Sequence, residues 1–384
     1  MTEITIPRES PLKIPQIMRA HWKAKEPFHL VGEPSTVKSC FIKQTADEIC
    51  KEENDKREFI DWSKTNIDKK KEILKEPDKF FVFEDLRASE TDIGELRLQD
   101  MHKDQDYITY KYNLVFQVLS NPKAKGILFF DEMNLAPNMI KAQFYKVYND
   151  RAIGDIPISD DILIISAGNE SSQVRDVVQD SVALTTRRAN YFINPLSTEE
   201  FVNYGIKTGM DESIIGYLSF SPQDVQSLKF DMIDPIGQPC SRTWEKLSNI
   251  LVHNPTLSMD DRSIISRGYL GPGVATKYIS YTKSGMKINL NELIKNPEKV
   301  KAIKETQIIY TIISGVVSRF AKGEDQLFGA VCKISVNIRE ELGVYLMRLT
   351  KNLNINKFRK LATEVRFAKD FDLCVKKYGD LLKD

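Results

Sequence analysis

Cysteine and histidine are scarce and scattered in this sequence. Five cysteines (Cys40, Cys50, Cys240, Cys332, Cys374) form no C-x-x-C pair, and the four histidines make no paired metal-ligand spacing with them. The expectation is buried free thiols in a reducing compartment. A charge excess of either sign is also missing: 55 Lys and Arg face 54 Asp and Glu, a net charge of +1. No global field then points towards nucleic acid or an anionic membrane. Long hydrophobic runs are absent too. The opening MTEITIPRESPLKIP carries charge and proline but no apolar leader core, and no later segment approaches a membrane span. A soluble cytoplasmic protein that engages neither membrane nor nucleic acid is expected, and no internal repeat is evident.

What the chain does have is material for packed cores, 41% hydrophobic residues over 384 positions, a length that predicts two or three domains. The most informative stretch is Ile127 to Asn134, ILFFDEMN. Four consecutive apolar residues need burial on both faces, as a central strand of a parallel sheet provides, and Asp131 and Glu132 then emerge at its C-terminal edge. Open α/β sheets bind ligands at that edge. The plainer alternative is a hydrophobic strand that ends in two solvated carboxylates.

Upstream, Phe28 to Ser39 reads FHLVGEPSTVKS. A short apolar run meets Gly32, and Lys38-Ser39 follow at the spacing G-x-x-x-x-G-K-[ST]. In that loop the amides and lysine hold phosphates and the hydroxyl ligates magnesium. The pattern is incomplete, because Val37 stands where it asks for glycine and Ser35 where many such loops carry another. The spacing of Phe41, Ile42, Thr45, Ala46, Ile49 and Cys50 predicts a helix opening from the loop. A strand-loop-lysine-helix followed by an apolar strand ending in Asp-Glu makes the two halves of a nucleoside-triphosphatase site.

Residues 1 to 26 predict a lead-in segment packed beside that site, and the Lys- and Glu-rich residues 51 to 79 read as exposed helix and loop. Phe80 to Phe83 is a second buried strand. The EDLRASETDIGELRLQD that follows is either a surface connection or, in a ring-forming ATPase, a loop facing the central channel. Tyr107 to Leu119 predicts a helix ended by Asn121-Pro122, and a further helix begins near Pro137. Gly154-Asp155 between short apolar runs signals a hairpin. In DILIISAGNE another four-residue apolar strand ends at Asn169, whose amide can orient a water but is also a routine turn residue. Arg187 and Arg188 end a helix just ahead of a fifth apolar strand. From Pro195 the pattern turns helical, and the expected divisions are 1–194, 195–285 and 286–384.

Together these residues resemble the AAA+ ATPases of the MoxR-like group. GEPSTVKS looks like its Walker A loop, ILFFDEMNLAP its Walker B with the Asn-x-Ala-Pro continuation, SAGNE its sensor-1 strand end, and ALTTRR its arginine-finger helix. CSRTWEKLSNIL looks like its sensor-2 lid helix, and GYLGPGVATKYISY is similar to a glycine-punctuated lid helix. The resemblance covers about residues 25 to 285. It departs at Ser35 and Val37, and at Thr186, where the finger motif often has Asn.

The resemblance implies an α/β fold, an αβα sandwich with a five-stranded parallel sheet of order 5-1-4-3-2. A helical lid, a helical C-terminal region and assembly into a ring, usually a hexamer, would accompany it. It implies ATP at Gly32, Glu33, Pro34, Ser35, Thr36, Val37, Lys38, Ser39 and Cys40, with Lys38 on the β and γ phosphates. Mg2+ would lie at Ser39 and Asp131, Glu132 would polarise the attacking water, and Asn169 would help position it. Arg187, or Arg188, would reach a neighbouring subunit's nucleotide, and Arg242 the γ-phosphate of its own. Members of the group often remodel proteins together with von Willebrand factor A domain partners. The expected function is an ATP-driven remodelling ring. A hydrolysis-deficient AAA+ scaffold is the alternative that Ser35 and Val37 motivate, and a GTPase or helicase-like motor on nucleic acid fits the near-zero charge less well.

Overall fold

The computed structural model describes residues 7–53, 55–101, 108–170, 182–228, 236–286 and 288–379. Contacts divide the chain into two compact units, Met1–Pro195 and Leu196–Asp384.

The first unit is built on one sheet of seven strands: β1 (Arg8–Glu9), β2 (Phe28–Gly32), β3 (Glu58–Asp61), β4 (Phe80–Arg87), β5 (Lys125–Asp131), β6 (Ile162–Gly168) and β7 (Ala189–Ile193). They lie in the order β1-β7-β2-β6-β5-β4-β3, and every pairing is parallel. Strand β5 shows why its sequence is a continuous apolar run. Ile127 and Phe129 point into a core shared with Phe28, Leu30, Ile165 and the helices Ile14–Ala24 and Lys38–Glu52. Leu128 and Phe130 point the other way, onto Ile73, Val115, Phe116, Phe144 and Val147. Helices thus cover both faces, and the alternation of period two accounts for the full burial of the strand.

The expected order 5-1-4-3-2 is present as β7-β2-β6-β5-β4, but the sheet has seven strands rather than five. Strand β3 (EFID) buries only Ile60 and carries charge at both ends, as an edge strand does. Strand β1 has two exposed residues and is held by its ladder to β7. A second correction concerns Tyr107 to Leu119. Ile108–Tyr112 is a strand paired antiparallel with Arg97–Met101, and the helix is only Leu114–Leu119, opened by the Asn113 side chain, which accepts from Val115 N. Residue 107 lies outside the described residues. The predicted hairpin at Gly154-Asp155 joins Ala152–Ile153 to Ile156–Pro157.

The second unit is helical. Its first helix, Thr198–Thr208, starts with a capping box between Ser197 and Glu200 and ends on Gly209 at φ 77°. Trp244 on the helix Ser241–His253 is fully buried against Tyr217 and Tyr278, with ring centroids 5.7 Å apart in both pairs. Its indole donates to Asp224 O at 2.9 Å, which satisfies the one polar group the ring brings inside. The helix Met259–Gly285 is kinked at Gly271, where φ 71° and ψ 166° break it just before Pro272. Among the described residues no helix is long and apolar enough to cross a membrane.

Candidate functional site

Strand β2 ends at Gly32, where a Cβ would stand 2.5 Å from the carbonyl oxygen of Ile193 on β7, so only glycine allows this approach. The loop then bends through Ser35 at φ 65° and Val37 at φ 55°, both left-handed, before Lys38 opens the helix Lys38–Glu52. These are the two positions where the phosphate-loop pattern favours glycine, and the backbone takes the glycine-like conformation without it. For a β-branched residue that conformation costs about 1–3 kcal/mol. The buried Lys38 ammonium donates to Gly32 O (2.9 Å), Glu33 O (3.0 Å) and Thr36 Oγ1 (2.9 Å), so it lies within the curve of the loop. Cys40 is exposed one position beyond Ser39.

Ser39 donates from Oγ to Asp131 Oδ2 at 2.6 Å, which joins the start of the helix to the end of β5. The other Asp131 oxygen accepts from Glu132 N at 2.9 Å. Glu132 sits at φ 54°, ψ 34°, and its carboxylate accepts a hydrogen bond from Ser89 Oγ. Asn169 follows β6, the neighbour of β5, and its backbone N–H donates to Asn134 Oδ1 at 2.8 Å. A Cβ on Gly168 would fall 2.8 Å from that same oxygen, so Gly168 is what lets Asn134 in. The structure thus brings Lys38, Ser39, Asp131, Glu132 and Asn169 to the C-terminal ends of three adjacent strands, β2, β5 and β6. A hydroxyl and a carboxylate in contact beside a phosphate-type loop form an oxygen donor set that suits Mg2+ with a triphosphate.

Two further carboxyls lie on β4. Burial raises Asp85 to about 6, with Asp131 adding to the shift, and its Oδ1 has no partner among the described residues. Burial likewise raises Glu84 to about 7, and its Oε2 is buried and unpartnered there too.

The two arginines lie towards the other edge of the sheet. Ala189 is opposite Phe28 and Ile193 opposite Gly32, so the turn that carries Arg187 and Arg188 precedes the start of β2 rather than its end. A strand of that length spans roughly 13 Å at the usual rise per residue. Arg187 is exposed, with Nε donating to Asn149 Oδ1 at 3.3 Å. Arg188 is only 6% exposed and lies under the sheet. Arg242 belongs to the second unit. It is exposed in the first turn of the helix Ser241–His253, on a cleft of about 460 Å³ with Lys246, Asn249 and His253.

Sequence reasoning missed the parts played by Ser89 and Asn134. Asn134 was visible as the first residue of the Asn-x-Ala-Pro run. Ser89 carried no signal within EDLRASE, because its partner is 43 residues away.

No protein-family profile matches the sequence, and no curated protein matches it. Among solved structures, the chain is similar to PCH-2 from C. elegans, at 13% identity over 71% of this chain and 66% of that one, with a TM-score of 0.30. It is also similar to NtrX from Brucella abortus in complex with ADP, at 11% identity over 90% and 69% of the two chains, with a TM-score of 0.37. NtrX in complex with ATP gives 10% identity over 92% and 70%, with a TM-score of 0.36. The chain spans about two thirds of the length of PCH-2, 66%. At such identities and scores the likeness carries no functional argument, and function follows from the chain's own residues.

Proposed function

We propose that this chain is an ATP-binding, Mg2+-dependent AAA+ ATPase of the MoxR-like type, assembled as a homo-oligomeric, hexameric ring that couples hydrolysis to remodelling of a protein partner. One observation carries the reading: Lys38, the Ser39–Asp131 hydrogen bond, Glu132 and Asn169 converge at one sheet edge beside a loop whose backbone is left-handed at residues 35 and 37. Magnesium, when bound, supplies charge neutralisation for a triphosphate, and Ser39 and Asp131 are the residues that would hold it. Lys38 exchanges the loop carbonyls for phosphate oxygens. Glu132, turned by its left-handed backbone and held by Ser89, takes a proton from the attacking water, and Asn169 orients that water.

The position of the arginines supports assembly. The exposed Arg187 lies towards the sheet edge opposite its own loop, where it suits a neighbouring subunit's nucleotide, while Arg242 would serve as the sensor of a lid formed by residues 195–285. Residues 286–384 then form a C-terminal helical region, and a von Willebrand factor A domain protein is the partner this group suggests. The strain at Val37 favours a second reading, a ring that binds nucleotide and assembles without turnover. Parallel assays of ATP binding and phosphate release on the wild type and Glu132→Gln test both. Binding with release that the variant abolishes supports the enzyme, binding without release the scaffold, and no binding defeats both.

A further inference from the structure

Arg187 and Arg188 are adjacent in sequence but have opposite surroundings, and the buried one is joined to the strand of the phosphate loop. Nη1 of Arg188 donates to Ser166 Oγ at 3.3 Å and to Tyr148 OH at 3.4 Å, and its Nε to Asn190 Oδ1 at 3.4 Å. Ser166 Oγ in turn lies 2.8 Å from His29 Nδ1. Ser166 and Asn190 are both in register with His29, so these groups form a line across three adjacent strands, β6, β2 and β7.

The chemistry of the line sets the direction of the Arg188 bond. A guanidinium only donates, so Ser166 Oγ accepts from Arg188, and its second lone pair and its proton let it meet either neutral tautomer of His29 at Nδ1. Complete burial, with Arg188, Lys38 and Lys141 nearby, holds His29 well below the usual imidazole range and keeps the ring neutral. His29 lies three residues before Gly32, Ser166 three before Asn169, and Arg188 beside Arg187.

We infer that Arg188 is a positioning residue, and that Arg188, Ser166 and His29 form a buried strut that fixes the exposed Arg187 relative to the strand carrying the phosphate loop. The inference rests on the proposed role of Arg187 at a neighbour's nucleotide. It divides the arginine pair between an outward group and an internal anchor, and it makes the buried Ser166 a determinant of hydrolysis across the subunit boundary.

The test uses the full chain with Ser166→Ala and Ser166→Thr. Ser166→Ala is expected to bind a fluorescent ATP analogue within about twofold of wild type while its hydrolysis falls about tenfold, the effect of a barrier change near 1.4 kcal/mol. Mixing it with Glu132→Gln subunits should restore part of the turnover, because an intact Arg187 then serves the Ser166→Ala site. Ser166→Thr keeps the hydroxyl and should keep the rate. Unchanged turnover in Ser166→Ala, or a loss that mixing does not rescue, overturns the inference.

A second measurement does not depend on turnover. Nitrogen NMR of the four histidines should show His29 neutral at pH 7, with its Nδ1 resonance moved by Ser166→Ala and by Arg188→Lys. A charged ring, or an Nδ1 resonance that neither variant moves, overturns the strut whatever the enzyme does. A wild type that binds no nucleotide defeats the proposed function, and the histidine signal still decides the strut.

Discussion

The phosphate loop and the Asp-Glu corner meet at one hydrogen bond, Ser39 to Asp131, but they reach their geometry by opposite routes. The corner has each side chain its chemistry asks for, set at the end of a strand buried on both faces, and Asn134 ties it to the next strand. The loop keeps Gly32 but lacks glycine at 35 and 37, and still follows the left-handed course through Ser35 and Val37. On the proposed function, a phosphate loop is then specified by dihedral angles and donors. Glycine is the least strained way to supply those angles, and a fold anchored on both sides can impose them on other residues. The corner should then control the rate, and the loop should control stability more than chemistry.

Breaking the corner gives the largest expected effect. Glu132→Gln should lower turnover by roughly 10²–10⁴-fold, the usual contribution of a general base, with nucleotide affinity within a few-fold of wild type. Steady-state phosphate release and analogue titration measure the two separately, and an equal fall in both would remove Glu132 from the proton-transfer role. Breaking the loop comes next. Lys38→Ala removes charge-assisted hydrogen bonds worth about 1.5–3 kcal/mol, so affinity for an ATP analogue should drop roughly 10–100-fold while circular dichroism stays native. Equal affinity in variant and wild type would reject the site.

The flank of the corner gives a pH signature. Folding raises the Glu84 carboxyl from 4.5 to about 7, mainly by burial. The protonated form is thus favoured in the folded state, and the stability it contributes is complete below pH 4.5 and lost as pH rises through 7. At the free energy of one pKa unit this amounts to roughly 3 kcal/mol. Glu84→Gln should abolish that slope. Urea midpoints at pH 5 and pH 8 read it out, and parallel pH profiles for variant and wild type would contradict the burial of this group.

What the sequence made legible follows the same division. Four apolar residues before Asp131 had only one comfortable place, the middle of a parallel sheet, and the 5-1-4-3-2 order came with the resemblance. The edge strands were hidden because one buried isoleucine in EFID and two exposed residues in β1 leave almost no hydrophobic pattern. The strand Ile108–Tyr112 was read as helix because Tyr112, Val115, Phe116 and Leu119 keep helical spacing across the true boundary at Asn113. At the site, Lys38, Asp131 and Glu132 announced themselves by spacing. The different fates of Arg187 and Arg188 did not, because the burial of Arg188 depends on Tyr148 and Ser166, 40 and 22 residues away.

The smallest expected effect bears most directly on how the loop differs from the corner. Val37 at φ 55°, ψ 17° carries a left-handed cost of about 1–3 kcal/mol, and Ser35 at φ 65° adds a lesser one. Glycine at both positions removes that strain but widens the unfolded ensemble, a loss of about 0.4–1 kcal/mol per site. The net gain for Ser35→Gly with Val37→Gly is then of the order of 1 kcal/mol, a rise of roughly 2–4 °C in melting temperature for a unit of this size. Nucleotide affinity should change less than twofold, because the backbone already follows the course that glycine would permit, in keeping with the small effect of relieving strain alone. Calorimetry and analogue titration on the double variant check both expectations. A lower melting temperature would mean that the packing of Val37 outweighs its strain. A tenfold rise in affinity or turnover would mean that the wild-type loop is the defect and that its dihedral angles do not suffice, which would favour the scaffold reading over the enzyme.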